Sequence, residues 1–338
     1  NTTYTVTVTT NSGCASSTSA TVSVNPNLPA SVGIAAVPSG AICSGTSVTF
    51  TATPTNGGSV PTYQWKKNNI NVGTGGTTYT DATLANNDAI TCVMTSNASP
   101  CLTGSPATSN TLTITISTLC NNIVAYWKFD ESNGNAADAV GSNNGTPTDI
   151  TYSTANGKIH NGAGFNGSSS KIVTSSNISI SSNFSFACWV NVASYLNNYP
   201  LVMDLGTYGG GSGNSAFIIV GHIGANLGVQ FAYYQSGWYQ ATTNTQMSSG
   251  WHFIVGTVSV GGGGSAMILY IDGSSAATGA APSSVSLNNT MSIGTDYTGV
   301  NDKFYDGAID EIGIWSRVLT PAEVTSLYNS GAGLQYPF

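Results

Sequence analysis

Apolar and polar residues alternate with a period of two in one short run after another, the pattern of half-buried β-strands. The first runs are Tyr4-Thr-Val-Thr-Val-Thr9 and Ala20-Thr-Val-Ser-Val24, separated by a turn signal at Asn11-Ser-Gly13, and together they predict a β-hairpin. Ser47-Val-Thr-Phe-Thr-Ala52, Thr62-Tyr-Gln-Trp-Lys66, Ala89-Ile-Thr-Cys-Val-Met94 and Thr111-Leu-Thr-Ile-Thr-Ile116 follow as strands. From Ile123 onward short strands alternate with Gly-rich turns. In Asp306-Gly-Ala-Ile-Asp-Glu-Ile-Gly-Ile-Trp315, Ile309 and Glu311 are set against Asp310, Ile312 and Ile314. That mixed pattern predicts a strand buried on one face and partly covered on the other. A helical period is read only after Pro321, where Val324, Leu327 and Tyr328 follow Thr320-Pro-Ala-Glu323. Thr320 is the predicted cap, Pro321 the first helical residue, Glu323 the partner in a capping box, and Gly331 the stop. The fold class is therefore all-β with one short C-terminal helix.

The 338 residues suggest about two domains. Thr7-Val-Thr-Thr-Asn-Ser-Gly-Cys14 with Ser19-Ala-Thr-Val-Ser-Val24 repeats as Cys92-Val-Met-Thr-Ser-Asn-Ala-Ser-Pro-Cys101 with Ser109-Asn-Thr-Leu-Thr-Ile114. Residues 1–27 are thus read as the C-terminal hairpin of a truncated unit, 28–117 as a complete copy, and 118–338 as a separate domain. Without an initiator Met, and opening inside a strand pattern, the chain is read as a piece of something longer. Charged residues make up 6%, against roughly 25% in ordinary soluble domains. Such hydroxyl- and amide-rich surfaces fit an extracellular, wall-like or adhesive protein. Seven Lys plus Arg at a net charge of −7 cannot make the basic stripe nucleic acid needs. No apolar run approaches the ~20 residues of a membrane span. Six Cys at wide spacing do not read as zinc.

Two resemblances carry the reading further. Tyr126-Trp-Lys-Phe-Asp-Glu131, Ala137-Asp138, Asn143-Asn-Gly-Thr146, Gly162-Ala-Gly-Phe-Asn-Gly167, Phe184-Ser-Phe-Ala-Cys-Trp-Val190, Trp251-His-Phe253, Leu269-Tyr-Ile-Asp-Gly273 and Gly307-Ala-Ile-Asp-Glu311 stand in sequence order. From Ile123 to Phe338 the chain resembles laminin-G-like, concanavalin-A-like jelly rolls. Residues 28–117, with Trp65 where such folds bury a tryptophan between sheets, resemble the immunoglobulin-like repeats of Bacteroidetes-type surface proteins. The second resemblance implies a disulfide between Cys43 and Cys101 and leaves Cys14 without a mate. Cys92 and Cys188, on apolar strands, are expected as buried thiols, and Cys120 is unassigned.

The jelly-roll resemblance brings the first and last strands together, and with them Asp130 and Asp310. Two such carboxylates repel unless a cation lies between them. Calcium, a hard ion that takes six to eight oxygens, is the expected cofactor, with Asp138, Asn143 and Asn144 completing its shell. The plainer alternative has Asp130 capping a turn and Asp310 bonded to a neighbouring loop. Asp310 and Glu311 invite a glycosidase reading, but neighbours on a strand point to opposite faces and cannot share a cleft. His160, His222 and His252 do not cluster, and His252 is expected to be structural. Tyr195, Tyr199, Tyr208, Tyr233, Tyr234, Trp238 and Tyr239 lie in two Gly-, Asn- and Ser-rich segments. Aromatic faces stack on sugar rings while amides and acids take hydroxyls, so Tyr208, Tyr234, Trp238 and Tyr239 are candidate ligand contacts, with Asp204 as the polar partner. The alternative for this set is strand core. The expected function is non-catalytic recognition of a glycan or surface polymer at the bacterial cell surface, carried on spacers. A structural adhesin or filament acting by self-association competes with it, and an enzyme is least favoured.

Overall fold

The computed structural model describes residues 2–195, 198–207, 213–261, 266–296 and 303–338, and divides between Ser117 and Thr118 into two units. In the first, β1 (Thr2–Thr9) and β2 (Ala15–Val22) pair antiparallel from Thr2↔Val22 to Thr9↔Ala15 as a separate two-stranded ribbon. There follow β3 (Ser31–Val37), β4 (Val48–Thr55), β5 (Thr62–Lys67), β6 (Ile70–Val72), β7 (Thr78–Asp81), β8 (Ala89–Thr95), β9 (Ala107–Thr108) and β10 (Leu112–Thr113). β3, β4 and β7 make one sheet, and β5, β6, β8, β9 and β10 the other, with β8 bonded to β5, β9 and β10. Alternate residues of both sheets close on Trp65, which is fully buried and donates its indole N–H to the Gly76 carbonyl at 2.9 Å. Phe50 stacks on Tyr79 at 5.8 Å between ring centroids and leans on Trp65 at 6.3 Å.

The predicted Cys43–Cys101 disulfide is not made. Cys101 is a free thiol, as are Cys14, Cys92 and Cys188, whereas Cys43 is disulfide-bonded. Cys43 follows the short strand Ala41–Ile42, which pairs with Thr115–Ile116; Cys101 precedes Leu102–Thr103, which pairs with Leu28–Pro29. The two cysteines thus lie beside opposite ends of the closing run from 102 to 116. Cys101 is exposed in a left-handed turn with φ 65°. Cys92 and Cys188 are buried thiols, as their apolar strands predicted, and burial pushes both thiols up, Cys92 to about 11.

The second unit comprises β11 (Ile123–Trp127), β12 (Gly145–Thr148), β13 (Thr151–Ser153), β14 (Gly162–Asn166), β15 (Lys171–Thr174), β16 (Phe184–Val192), β17 (Leu201–Leu205), β18 (Ser215–Ile223), β19 (Asn226–Tyr234), β20 (Trp238–Thr242), β21 (Trp251–Ser259), β22 (Ala266–Ile271), β23 (Ser274–Ala280), β24 (Met291–Ile293), β25 (Asp306–Trp315) and α1 (Pro321–Tyr328). One sheet runs β13-β14-β25-β16-β21-β22-β23, with β11 also on β25; the other runs β12-β15-β24-β17-β18-β19-β20. The first and last strands do neighbour each other, with Trp127 opposite Ile312. Between the sheets lie Trp127, Phe129, Phe165, Phe184, Phe186, Phe231 and Tyr233. Contact is so close that a Cβ on Gly256 would stand 2.3 Å from the Phe231 ring. Gly256→Ala is expected to lower stability by about 1–3 kcal/mol through overpacking, read as a drop in the urea midpoint at unchanged slope.

A second apolar layer covers the outer face of the β25 sheet: Trp189, Phe253, Val255 and Trp315 pack beneath Val324 and Leu327 of α1 and beneath Phe338. The capping box forms as predicted, Thr320 Oγ1 accepting from Glu323 N–H and Glu323 accepting from Thr320 N–H. Burial alone would raise the Glu323 carboxyl, but Arg317, Thr320 and Thr118 outweigh it and hold it down at about 2. The helix stops two residues before the predicted Gly331, at Asn329, whose left-handed backbone (φ 49°) makes the C-cap. No helix among the described residues is long and apolar enough to cross a membrane, which says nothing of strands in a barrel.

Candidate functional site

Three places bear chemistry. The first is the acid cluster at β25. Ile309 and Ile312 both face the core between the sheets, so the two residues between them, Asp310 and Glu311, both lie outside it. The cause is a bulge: the pairing with β16 slips between Ala187 and Trp189, and Glu311 takes φ 52°. The expectation that these neighbours point apart is therefore corrected. Both are buried, and the Glu311 charge adds to the upward push on the Asp310 carboxyl, while Asp130 adds to that on Glu311. Asp310 Oδ2 accepts the backbone N–H groups of Lys158 (2.7 Å) and Ile159 (2.9 Å), and Oδ1 accepts that of Glu311. Glu311 accepts the Tyr126 hydroxyl and the Gln335 amide. Burial first, then repulsion by Glu311, pushes the Asp310 carboxyl up to about 8; burial likewise takes Glu311 to about 8.

The five predicted calcium ligands do not form one shell, and Asn144 Oδ1 accepts the Asp138 backbone N–H. Asp138 is filled by the N–H groups of Tyr126, Val140 and Asn143 and by the Asn143 amide, so these two residues knot their own turn. Asp310 is occupied by the 158–159 loop, the plainer of its two sequence readings. Asp130 instead reaches Glu311 through Gln335, whose Nε2 bonds both carboxylates. Among the described residues no three His, Cys, Asp or Glu side chains converge to hold a metal. A cation here would have Asp130 and Glu311 as acids and would draw its remaining oxygens from amides and carbonyls, a mixture calcium accepts.

The second place is the outer face of the seven-stranded sheet. Tyr234 pairs with Trp238 across the β19–β20 turn, their ring centroids 4.9 Å apart, and Trp238 meets Phe217 edge-on at 5.9 Å. Phe217, Leu201, Ile219 and Ala232 form a buried cluster on this face. Trp238 stands 55% exposed above it. Two residues along, Gln240 lies opposite Ala232, and Gln230 lies opposite Thr242. The Gln230 amide donates to Gln240 (2.8 Å) and Thr242 (3.2 Å). These two glutamines were not among the predicted residues, though the alternations Gln230-Phe-Ala-Tyr-Tyr234 and Trp238-Tyr-Gln-Ala-Thr242 contain one each.

The remaining candidates divide. Tyr239 points the other way, against buried Tyr233 at 6.4 Å, because it pairs with Tyr233 on the core side of the same ladder. Asp204 lies on the Phe217 row but is fully buried and takes the Ser215 hydroxyl, so it is a structural acid beneath the face. Tyr208 lies outside the described residues. Tyr195 donates to the Met247 carbonyl, and Tyr199 lies under the Lys303 ammonium.

The third place is the His252 turn. His252 Nδ1 meets Asp272 Oδ2 at 2.7 Å, and Ser248 Oγ lies 3.0 Å from Nε2. The order resembles a nucleophile relay, but Nε2 also lies 3.1 Å from Ser248's own carbonyl. The serine is folded back along its backbone, and Asp272 also accepts the Phe253 N–H. The set ties the two ends of the β21–β22 hairpin, so His252 is structural, as expected.

The concanavalin A-like lectin/glucanases superfamily, in its Laminin_G_3 form, matches residues 165–325. No curated protein matches. Domain 4 of AbnA, a GH43 extracellular arabinanase from Geobacillus stearothermophilus solved in complex with arabinotriose, is similar at 25% identity and a TM-score of 0.50. The match covers 61% of this chain and 97% of that one. The receptor binding domain of botulinum neurotoxin type G (16%, 0.47) and the binding domain of Paraclostridial mosquitocidal protein 1 (18%, 0.47) are similar over 62% of this chain. The match spans about half of each of those two chains. The second unit is thus a concanavalin-A-like jelly roll.

Proposed function

We propose that the second unit is a non-catalytic carbohydrate-binding module of an extracellular, surface-displayed protein, and that the first unit is an immunoglobulin-like spacer. The observation that carries this is the Trp238–Tyr234 platform: an exposed indole beside a half-buried phenol on a rigid sheet, with Gln240 and Thr242 along the same face and Gln230 holding both from below. Such a site stacks one sugar ring and fixes its neighbours by amides. The arabinotriose held by the AbnA domain supports a neutral oligosaccharide as the ligand class. The acids at β25 are saturated by hydrogen bonds and closed to solvent, so they serve folding rather than hydrolysis, with calcium as their structural counter-ion when present. The module would reach its polymer from a longer parent chain.

The test is titration of the full chain with arabinotriose, alongside a glycan array, in wild-type and Trp238→Ala forms. Binding lost in the variant supports the reading. Absence of any binding across the array, or binding indifferent to Trp238, overturns it.

A further inference from the structure

The β1–β2 ribbon carries a face that the rest of the chain explains. Aligned on Asn11 and Asn97, Tyr4-Thr-Val-Thr-Val-Thr9 matches Ile90-Thr-Cys-Val-Met-Thr95, and after one inserted residue Cys14 matches Cys101. Tyr4, Val6 and Val8 therefore correspond to Ile90, Cys92 and Met94. The latter three are 0% exposed; the former are 61%, 62% and 65% exposed. Cross-strand pairing puts Ala20 opposite Tyr4 and Val22 opposite Thr2, so the apolar side chains of both strands share one face. A continuous apolar strip of this kind marks an interaction surface. β1 also differs from β8 at its edge. β8 bonds β5 on one side and β9 and β10 on the other, whereas β1 is paired, among the described residues, only with β2 and so presents a row of backbone donors and acceptors.

We propose that this ribbon is half of a composite sandwich, completed by strands patterned like Ser31–Asp81 from a further repeat of the same kind. The proposal rests on the immunoglobulin-like reading of residues 28–117. The occupant follows from what covers the matching face within that unit. Trp65 sits opposite Cys92 in the neighbouring strand, and Val48 and Phe50 come from the facing sheet. The incoming segment adds a β5-like strand to the free edge of β1 and lays a tryptophan and a phenylalanine over Val6 and Val8. Its chemistry is that of a Thr-rich sheet with one apolar face, to be laid on a ribbon that has no charged residue from Thr2 to Val22.

The test uses the full chain, alone and with a copy of its residues 28–88 joined ahead of residue 1. Hydrogen exchange, a hydrophobic dye and sedimentation are read together. The expected result is a monomer in which the amides of Tyr4 to Thr9 exchange ~100-fold slower or more, as in a closed sandwich. Dye binding falls, and the copied tryptophan shifts to the blue. Adding Val6→Asp and Val8→Asp should reverse all three while amides of residues 30–117 stay protected. Fast exchange in the extended chain overturns the proposal. So does concentration-dependent dimerisation of the unextended chain that protects Tyr4 to Thr9 equally, because the occupant is then a second copy. Neither result touches the Trp238 site.

Discussion

Trp238→Ala is expected to weaken oligosaccharide binding ~30-fold or more while leaving the melting temperature within about 2 °C. Truncating a central aromatic anchor of a binding face costs about 2 kcal/mol or more, and each 1.4 kcal/mol is tenfold in affinity. The indole is more than half exposed, so its removal opens no internal cavity. The adjacent residue supplies the control. Tyr239 packs against Tyr233 on the core side, so Tyr239→Ala is expected to lower stability by about 2 kcal/mol or more and to affect binding only through the fold. Tyr234→Ala should resemble Trp238→Ala, because its ring lies beside the indole on the same face. Gln240→Ala should cost less, since an exposed amide exchanges its contact for water. Calorimetric titration with arabinotriose and thermal melts of the same preparations separate these effects. If Trp238→Ala binds as wild type and Tyr239→Ala alone fails, the aromatic cluster is core and the carbohydrate reading falls.

Parity along β19 and β20 explains why only part of this face was legible in the sequence. Once the Gln235-Ser-Gly237 turn fixes the register, Tyr234 must share a face with Trp238, and Tyr233 with Tyr239. Composition groups all four as aromatic loop residues, and only the ladder sorts them. The capped helix and the pairing of the first and last strands could be read ahead, because each rests on a local signal or on a long ordered set of motifs. The acid cluster could not. A bulge at Glu311 is one extra residue with no distinctive side chain, and it reverses the face of the carboxylate. Asp138 looked like a ligand because its turn is rich in Asn, yet those same neighbours fill its oxygens. Cys43 and Cys101 matched a repeat pattern, but strand order sets them beside opposite ends of a closing run.

The Asp310–Glu311 pair yields the other large effect, a stability that falls as pH rises. Both carboxyls lie near 8 in the folded chain against 3.8 and 4.5 when unfolded. Between roughly pH 4 and 8 the native state therefore binds more protons than the unfolded one, and unfolding free energy decreases with pH through that window. Below it the opposite holds for Glu323, whose folded value of about 2 removes stability as pH falls from about 4.5. The second unit is expected to be most stable near pH 4–5. At pH 8.5 it should be weaker by on the order of 3 kcal/mol, a melting point roughly 5–10 °C lower. Glu311→Gln keeps the shape and discards the charge, so it should remove Glu311's share of the decline and leave the burial-driven share of Asp310. Calcium enters here as a counter-charge. If it is held by Asp130 and Glu311, millimolar calcium at pH 8.5 should restore the lost stability in proportion to RT ln(1 + [L]/Kd), and should do nothing in Glu311→Gln. Calcium without effect on the wild type at pH 8.5 removes the ion from the proposal and leaves a protonated pair. A melting point that rises from pH 5 to 8.5 would show instead that both acids ionise in the folded chain and find partners other than those at β25.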